Sequence, residues 1–385
     1  MKKKILFLIT EDWFFCSHFL ERAVAARAAG CEVVVVTRER NHGARIRAAG
    51  LRLVPIEFQR RRIHPLRELG FLRVLRRIYA DERPDLVHHV AAKPIFYGTM
   101  VARSLGISVI INAPVGMGYV FSSSDTTARA LRPLIRLGYR LLLNPRGSRV
   151  IFENGQDLNA FVKSGAVHHA AAVLIRGAGV DLLEFQPRDP APGVPVVALI
   201  ARMLRDKGVL EFIGAARQLH AAGVIARFVL IGDRDPSNPA SIDVETLEAC
   251  DGSNGLEWWG WRSDVADILR QAHIVCLPSY REGLPKSLLE AAASGLPIVT
   301  TNTVGCQDVV ENGVNGFLVP VKTVAPLAAA LEALISDPEL RRTMGKRGRL
   351  LVEKEFSSER VIKETLAVYS QMLQVSMLAG QAHPT

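Results

Sequence analysis

Two glutamates eight positions apart, Glu282 and Glu290, flank a Gly-Leu-Pro turn in the segment SYREGLPKSLLEAAASG. The apolar run HIVCLP before it predicts a buried strand, and the alanine-rich run after it predicts a helix. Pro285 suits the first helical position, because the missing N–H is not needed there. Glu290 would then lie roughly 7.5 Å along the helix axis. This spacing suits one elongated polar ligand better than one metal ion.

Two cations follow an earlier strand in the segment ALIARMLRDKG. Arg202 ends the strand, and Lys207 lies across a short loop at the start of the next helix. Cations in this position can neutralise a diphosphate. The free amides around Gly283 to Lys286 favour a phosphate or sugar oxygen, and the two acids favour sugar hydroxyls. A nucleotide sugar could be bound by all three kinds of group: the cations, the free amides and the acids.

The elements that carry these residues alternate between short apolar runs and amphipathic helical patterns. Such strands indicate parallel sheets covered on both faces, so the fold class is α/β with two doubly wound Rossmann-like domains facing a cleft. The pattern restarts after FQPRDPAPGVP. We therefore expect one domain at 1–187 and a second at 188–356, with a C-terminal helix at 357–385 that packs back on the first domain.

Composition narrows the class of protein. A chain of 385 residues suits two domains, since single cores stop growing at roughly 250–300 residues. Five unpaired cysteines favour a reducing compartment and offer neither disulfide nor zinc spacing. The opening MKKKILFLIT predicts a first strand rather than a signal peptide. No apolar run approaches the roughly 18 residues of a membrane span.

The motifs ARMLRDKGVLEFIGAA, REGLPKSLLEAAASGLPIVTT and GCQDVVENGVNGFLVP resemble those of the family-4 retaining glycosyltransferases, which have the GT-B fold. The resemblance implies that Glu290 binds ribose, that Glu282 approaches the donor sugar, and that two cations hold the diphosphate without a metal ion or other cofactor. It implies retention of the anomeric configuration. The expected catalytic and donor-binding residues are Arg202, Lys207, Glu282, Gly283, Leu284, Pro285 and Glu290.

The segments AAKPIFYGTMVAR and VGMGYVF resemble the subgroup that builds polysaccharide repeat units on membrane lipid carriers. The loop after the first strand is TEDWFFCSH, not the Gly-Gly loop of many relatives, and Val115 stands where those relatives have a histidine. An acceptor site is expected in the first domain. Its candidates lie at strand ends or helix starts, where a structural role is the alternative: His18, His88, His89 and Lys93.

The charge of +10 is uneven, because residues 1–190 carry 29 Lys and Arg against 16 Asp and Glu. In ARALRPLIRLGYRLLL, four arginines share one helical face opposite a leucine-rich face: Arg129, Arg132, Arg136 and Arg140. Residues 60–77 add a net +6. We expect contact with an anionic inner-membrane surface, at about 1 kcal/mol per cation. The alternative is that both are ordinary helices with solvated arginines.

Together these observations predict a cytoplasmic enzyme, peripheral on the membrane. It would transfer a hexose or N-acetylhexosamine from a UDP-sugar to a lipid-linked or saccharide acceptor in cell-surface polysaccharide or lipopolysaccharide biosynthesis. Two alternatives remain, a sugar-nucleotide epimerase of the same fold and a non-catalytic nucleotide-sugar-binding protein. Nucleic-acid binding would explain the charge but leaves the acids and cations unused, so no nucleic-acid partner is expected.

Overall fold

A computed structural model describes residues 2–58, 65–115, 135, 137–145, 147–188, 192–236, 238–253 and 255–374. The chain divides into two compact units. We call Met1–Ala178 with Glu359–Thr385 the first domain, and Gly179–Ser358 the second domain. Each domain contains one parallel sheet with helices, so the predicted α/β class with two Rossmann-like domains is confirmed.

The first domain has a seven-stranded parallel sheet in the order β3-β2-β1-β4-β5-β6-β7. Its strands are β1 (Lys4–Glu11), β2 (Glu32–Arg38), β3 (Arg52–Pro55), β4 (Leu86–Val90), β5 (Ile110–Ala113), β6 (Ser148–Phe152) and β7 (Ala172–Leu174). Its helices are α1 (Asp12–His18), α2 (Leu20–Ala28), α3 (Gly43–Ala48), α4 (Pro65–Glu82), α5 (Ala92–Ser104) and α6 (Gly155–Lys163), with α14 (Ser358–Leu373) added from the chain's end. Residues 137–142 are also helical.

The second domain has a six-stranded parallel sheet in the order β10-β9-β8-β11-β12-β13. Its strands are β8 (Val196–Ile200), β9 (Arg227–Ile231), β10 (Leu256–Trp258), β11 (Ile274–Leu277), β12 (Ile298–Thr301) and β13 (Gly316–Val319). Its helices are α7 (Val209–Ala221), α8 (Val244–Glu248), α9 (Val265–Gln271), α10 (Lys286–Ala293), α11 (Cys306–Val309), α12 (Ala325–Ser336) and α13 (Pro338–Glu355).

Both faces of each sheet are buried, which explains why the strands read as continuous apolar runs. In β1, Phe7 joins the apolar cluster that includes α14, whereas Leu6 and Leu8 join the cluster on α4 and α5. In β8, Val197 and Ala198 likewise belong to different clusters. Successive side chains of a strand point to opposite faces, so each sheet carries apolar packing on both sides.

The chain passes between the domains at 178/179 and 358/359, earlier than the boundary expected after residue 187. The reason is a short backbone pairing in which the Val180 N–H bonds to the Phe356 carbonyl at 3.0 Å, and the Ser358 N–H bonds to the Val180 carbonyl at 2.9 Å. This pairing ties the residues after 178 to the second domain. Helix α14 packs in the first domain, where Tyr369 is fully buried.

The strand order reverses beside β1 in the first sheet and beside β8 in the second. In open parallel sheets, ligands bind beyond the carboxyl ends of the strands at such switch points. The residues after β1 and β4, and those after β8 and β11, are therefore the ones that each fold places for binding.

Candidate active site

The predicted cations and acids follow the two strands that form the switch point of the second sheet. Arg202 and Lys207 come after β8, and the segment 279–285 comes after its neighbour β11. Lys207 ends a short 3-10 turn, Arg205–Lys207, that leads into α7. The topology thus brings two loops to one sheet edge although about 75 residues separate them in the chain.

Backbone hydrogen bonds hold these two loops against each other. The Asp206 carbonyl accepts from the Tyr280 N–H at 2.9 Å and from the Ser279 hydroxyl at 3.0 Å. On the other side, the Glu282 N–H donates to the Val304 carbonyl at 3.1 Å. The position of the acidic loop is therefore fixed by main-chain groups of the cation loop and of the loop after β12.

Two glycines permit this close approach. Gly208 has φ +73°, and a Cβ there would lie 2.1 Å from the Pro278 carbonyl oxygen. Gly305 has φ +81°, and its Cβ would lie 2.6 Å from the Gly283 carbonyl oxygen. A side chain at either position would collide with backbone atoms. In addition, both residues have a positive φ, which L-residues rarely adopt. Glycine at 208 and 305 is thus a requirement of the site's geometry.

Lys207 and Glu282 form an ion pair with Nζ 2.5 Å from Oε1. Both side chains are mostly shielded, with exposed fractions of 21% and 11%. A shielded pair is stronger than a surface pair because less water screens it. The structure therefore brings one predicted cation and one predicted acid into direct contact, and each can exchange this partner for a group of a ligand.

Arg202 pairs with Asp235, with Nη1 2.9 Å from Oδ2. The arginine is the more exposed partner, at 42% against 15%. Asp235 follows β9 in the run GDRDP, at the same carboxyl edge of the sheet. The sequence argument did not single out Asp235, although an acid after a parallel strand was a signal that could have found it.

Glu290 is the fifth residue of α10 and is only 9% exposed. Burial raises the pKa of its carboxyl to about 7, an effect that Lys286 opposes and Glu184 reinforces. Lys286 Nζ lies 3.7 Å from its Oε1. This acid can therefore accept or donate a hydrogen bond near neutral pH, depending on its protonation.

Helix α10 begins at Lys286, and its N-terminus has no side-chain cap hydrogen bond. The prediction that Pro285 is the first helical residue is wrong by one position, because its ψ of 113° is extended and makes it the N-cap. The Leu288 N–H bonds back to the Pro285 carbonyl at 3.1 Å. Leu284 is buried in the apolar cluster under this turn, so its side chain anchors the loop.

A tyrosine within the acidic loop, not singled out from the sequence, anchors this loop to its neighbours. The Tyr280 hydroxyl donates to Glu211 Oε1 at 2.7 Å, and Thr303 Oγ1 donates to the Tyr280 carbonyl at 3.0 Å. Lys322 Nζ lies 4.9 Å from the centre of the tyrosine ring. Tyr280 thus connects the acidic loop to α7 and to the residues after β12 and β13.

In the first domain, His88 and His89 are fully buried, so the expectation that they face a ligand is wrong. His88 Nδ1 lies 2.7 Å from the Tyr369 hydroxyl of α14, and His89 Nδ1 lies 2.9 Å from Asn112 Oδ1. Burial lowers the pKa of both rings, to about 4 for His89. Both are neutral side chains that join structural elements, the alternative recognised from the sequence.

The other two acceptor candidates lie nearer the surface. His18 is the last residue of α1, not its start as expected, and its ring stacks on Phe14 with the centroids 4.1 Å apart. Lys93 lies in the first turn of α5, and its Nζ is 3.3 Å from Glu68 Oε1. Of the two, Lys93 lines a cavity of about 220 Å³.

Within the described part of the chain, no three His, Cys, Asp or Glu side chains come together as a metal site. All five cysteines are buried and free. Over the same described residues, no helix is long and apolar enough to cross a membrane.

Two family models match the chain, one in each domain. The model described as "Glycosyl transferase 4-like" matches residues 4–154, and the model described as "Glycosyl transferases group 1" matches residues 194–337. Both models describe glycosyltransferases, so each domain contains a region that matches a glycosyltransferase family. The predicted family is therefore confirmed, and the loops after β8 and β11 lie inside the second matched region.

Curated relatives of this glycosyltransferase include two enzymes named for lipid-linked acceptors. One is the N,N'-diacetylbacillosaminyl-diphospho-undecaprenol α-1,3-N-acetylgalactosaminyltransferase of Campylobacter jejuni, 28% identical over 82% of this chain and 85% of its own length. The other is the UDP-Gal:α-D-GlcNAc-diphosphoundecaprenol α-1,3-galactosyltransferase of Escherichia coli, 24% identical over 81% of this chain and 82% of its own length.

Solved structures share the fold of this glycosyltransferase. Sucrose-phosphate synthase from Thermosynechococcus elongatus has a TM-score of 0.78 at 19% identity, covering 97% of this chain and 100% of its own. Anabaena HepE in complex with UDP and glucose has a TM-score of 0.74 at 17% identity, covering 96% and 99%. These likenesses establish the GT-B glycosyltransferase fold.

The buried carboxyl of Glu290 generates a prediction about stability. Its raised pKa means that it stabilises the folded glycosyltransferase when protonated, a contribution present below about pH 4.5 and lost as pH rises through about 7. From pH 5 to 8, the wild type should lose roughly 1–3 kcal/mol of unfolding free energy relative to Glu290→Gln. Urea unfolding followed by tryptophan fluorescence measures this difference.

The matched control is Glu248→Gln, which alters an exposed glutamate of the same domain. This variant should follow the pH dependence of the wild type. Parallel curves for wild type and Glu290→Gln would show that the Glu290 carboxyl titrates normally and would contradict the prediction.

Proposed function

We propose that this glycosyltransferase moves a hexose or N-acetylhexosamine from a UDP-sugar to a lipid-linked saccharide acceptor in cell-surface polysaccharide biosynthesis. The observation that carries the proposal is the contact between Lys207 and Glu282 at the switch point of the second sheet. A nucleotide sugar offers an anionic diphosphate and a neutral sugar joined by one bond. A cation and an acid in contact match both sides of that bond.

In this proposal the second domain holds the donor through charges and amides. Arg202 and Lys207 bind the diphosphate, the N-terminus of α10 adds its dipole and amides, and Glu290 accepts from the ribose hydroxyls. Glu282 then turns from Lys207 to a hydroxyl of the donor sugar. No metal ion is needed in this scheme, since the two cations and the helix N-terminus supply the positive charge.

The proposed reaction retains the anomeric configuration. The bond between the anomeric carbon and the departing phosphate oxygen breaks, and the acceptor hydroxyl forms the new bond on the same face. The hydroxyl proton passes to the departing phosphate oxygen, so the nucleoside diphosphate leaves with it. The protein's contribution is stabilisation of the leaving diphosphate by Arg202 and Lys207, charges that are in place before the reaction.

We infer the class of acceptor from the names of two relatives and from a cavity in the first domain. The two relatives named above act on saccharides joined to undecaprenol through a diphosphate, and in both names the accepting sugar carries acetamido groups. We propose a polyisoprenyl-diphosphate saccharide of this kind as the acceptor here. Lys93, at the start of α5, is the described acceptor candidate that lines a cavity.

A transfer assay tests the function. The purified chain is incubated with a panel of UDP-sugars and with N-acetylglucosaminyl-diphospho-undecaprenol, with and without EDTA. We expect one donor to yield a longer glycolipid and free UDP in equal amounts, with no loss in EDTA. Conversion of the UDP-sugar into its epimer without glycolipid would instead indicate an epimerase. Binding of the UDP-sugar without any product would indicate a non-catalytic binding protein.

The diphosphate cations generate a second prediction. Arg202→Ala and Lys207→Ala should each lower kcat about 100-fold, because each removes a positive charge from the leaving group. The fold should be kept, since Arg202 lies in a loop and Lys207 ends a short 3-10 turn, and both are outside the buried core. Arg205→Ala is the control, because Arg205 is an exposed arginine of the same short turn. Near-normal turnover in either variant would contradict the assignment.

Apolar and basic groups meet on one surface of the first domain. Leu137 and Leu141, one helical turn apart, are 52% and 61% exposed, and Met100 of α5 is 47% exposed. The two helices are joined where Arg103 Nη1 bonds to the Leu141 carbonyl at 3.2 Å. Arg140 is exposed beside these leucines. We propose that this surface docks on an anionic membrane, as a lipid-carried acceptor requires.

Of the four arginines that the sequence placed on one helical face, only Arg140 lies in the described part of the chain. Arg129, Arg132 and Arg136 lie outside it. The segment 60–77 is described only from residue 65, where α4 begins. On that helix, Arg73, Arg76 and Arg77 are exposed, so described cations of the first domain remain available to anionic lipid.

The docking surface generates a third prediction. The wild type should sediment with vesicles that contain anionic lipid, and binding should fade with salt because the Debye length is about 8 Å at physiological ionic strength. Leu137→Glu with Leu141→Glu should weaken this binding and leave transfer to a short-chain soluble acceptor intact. The control is Leu350→Glu, at a leucine of the second domain that is 65% exposed. Equal sedimentation of both variants would refute the docking surface.

A further inference from the structure

A cavity of about 220 Å³ opens in the first domain between the residues after β3, helix α4 and the start of α5. It lies at the carboxyl ends of β3 and β4, the edge at which parallel sheets bind ligands. The donor site described above uses none of its residues. The cavity is therefore a separate candidate binding site.

One end of the cavity is polar and already paired. Lys93 Nζ lies 3.3 Å from Glu68 Oε1 and 5.9 Å from the centre of the Tyr97 ring. The Tyr97 hydroxyl is hydrogen-bonded to Glu68, and burial together with this carboxylate raises the pKa of the tyrosine. An ammonium, a carboxylate and a neutral phenol offer both donors and acceptors, with no net charge among the three.

The other end of the cavity is apolar and largely aromatic. The rings of Phe58 and Phe71 have centroids 5.0 Å apart, and Phe71 and Tyr97 have centroids 5.5 Å apart. Ile56 and Val74 complete this wall. Such a surface favours the C–H face or a methyl group of a ligand over a hydroxyl.

The charges in and around the cavity are largely balanced, so they do not favour an anionic ligand. Glu57 lines the cavity, and its carboxylate is shared by Arg38 at 3.4 Å and Arg40 at 3.7 Å. The two arginines are thereby neutralised in part, and Glu68 neutralises Lys93 inside. A phosphate would find each of these described cations already facing a carboxylate. A neutral ligand with hydroxyls and a methyl group does not have to compete with these carboxylates for the cations.

We propose that this cavity binds one neutral acetamido sugar ring of the acceptor, with the acetyl methyl on the aromatic wall and ring hydroxyls on Glu68, Lys93 and Tyr97. The inference rests on the proposed function and adds the subsite and the sugar class. The cavity volume is consistent with a ligand as small as one sugar ring, because it lies below the roughly 300 Å³ at which pockets for drug-sized ligands begin. One sugar ring fills it, and the rest of the acceptor lies outside.

The test uses binding in solution, separately from transfer. The probes are methyl N-acetyl-α-glucosaminide and methyl α-glucoside, followed by saturation-transfer NMR, and UDP is titrated in parallel by calorimetry. Val74→Glu places a charged side chain on the apolar wall at a position that is 52% exposed and tolerates it. Its matched control is Leu69→Glu, which introduces a glutamate on the same helix at a leucine that is 45% exposed and outside the described lining. Tyr97→Phe removes only the hydroxyl.

The wild type and Leu69→Glu should bind the acetamido glycoside and show saturation of its acetyl methyl. Val74→Glu should bind it about tenfold more weakly or worse, and Tyr97→Phe about fivefold more weakly, as the loss of one contact implies. The simple glucoside should bind more weakly than the acetamido glycoside throughout. UDP should bind all four proteins alike.

Three results would overturn the inference: no glycoside binding by the wild type, equal glycoside affinities of Val74→Glu and Leu69→Glu, or equal affinities for the two glycosides. Failure of the proposed function has a different signature. It would appear as absent UDP binding or absent transfer by the wild type with every UDP-sugar, whatever the glycoside result.

Discussion

The hydrogen bonds from Tyr280 and Ser279 to the Asp206 carbonyl are the constraint on which the site depends. They join the loop after β8 to the loop after β11, so that Lys207 and Glu282 meet at a distance of 2.5 Å. The glycine at 208 is needed because the loops touch through backbone atoms. The parallel sheet places both loops at one edge. The hydrogen bonds between the loops then fix the positions of the charged side chains at that edge.

Strand-end polar residues serve two different purposes in the two domains. After β8, β9 and β11 they remain partly exposed and paired with each other, so a ligand can replace the partner. In β4, by contrast, His88 and His89 are fully buried and neutral, bonded to α14 and β5. The free energy of burying a polar ring is recovered only when it is hydrogen-bonded. In the first domain, His88 bonds to α14 and His89 bonds to β5, and neither ring lines the cavity around Lys93.

Most of the architecture could be predicted from the sequence, because buried parallel strands are continuous apolar runs. The residues after such strands are the candidates for binding. Arg202, Lys207, Glu282 and Glu290 were predicted as candidates from these loops and the helix that follows, and the structure brings Lys207 to Glu282. The burial of His88 could not be predicted, since its partner Tyr369 lies in a helix about 280 residues later. His89 is also buried, and it bonds to Tyr79 of α4 and Asn112 of β5. The cavity was missed for the same reason. Its wall combines residues after β3 with residues of α4 and α5, and no spacing in the sequence links them.

The central claim is that a donor separates the resting pair of Lys207 and Glu282, with the diphosphate taking the lysine and the sugar taking the acid. Calorimetry of UDP and of the UDP-sugar that supports transfer tests this claim in the wild type, Lys207→Met and Glu282→Gln. The account predicts that Lys207→Met weakens both ligands, whereas Glu282→Gln weakens the UDP-sugar and leaves UDP binding equal or stronger, because the lysine loses a competing carboxylate. Equal losses of UDP affinity in the two variants would contradict it.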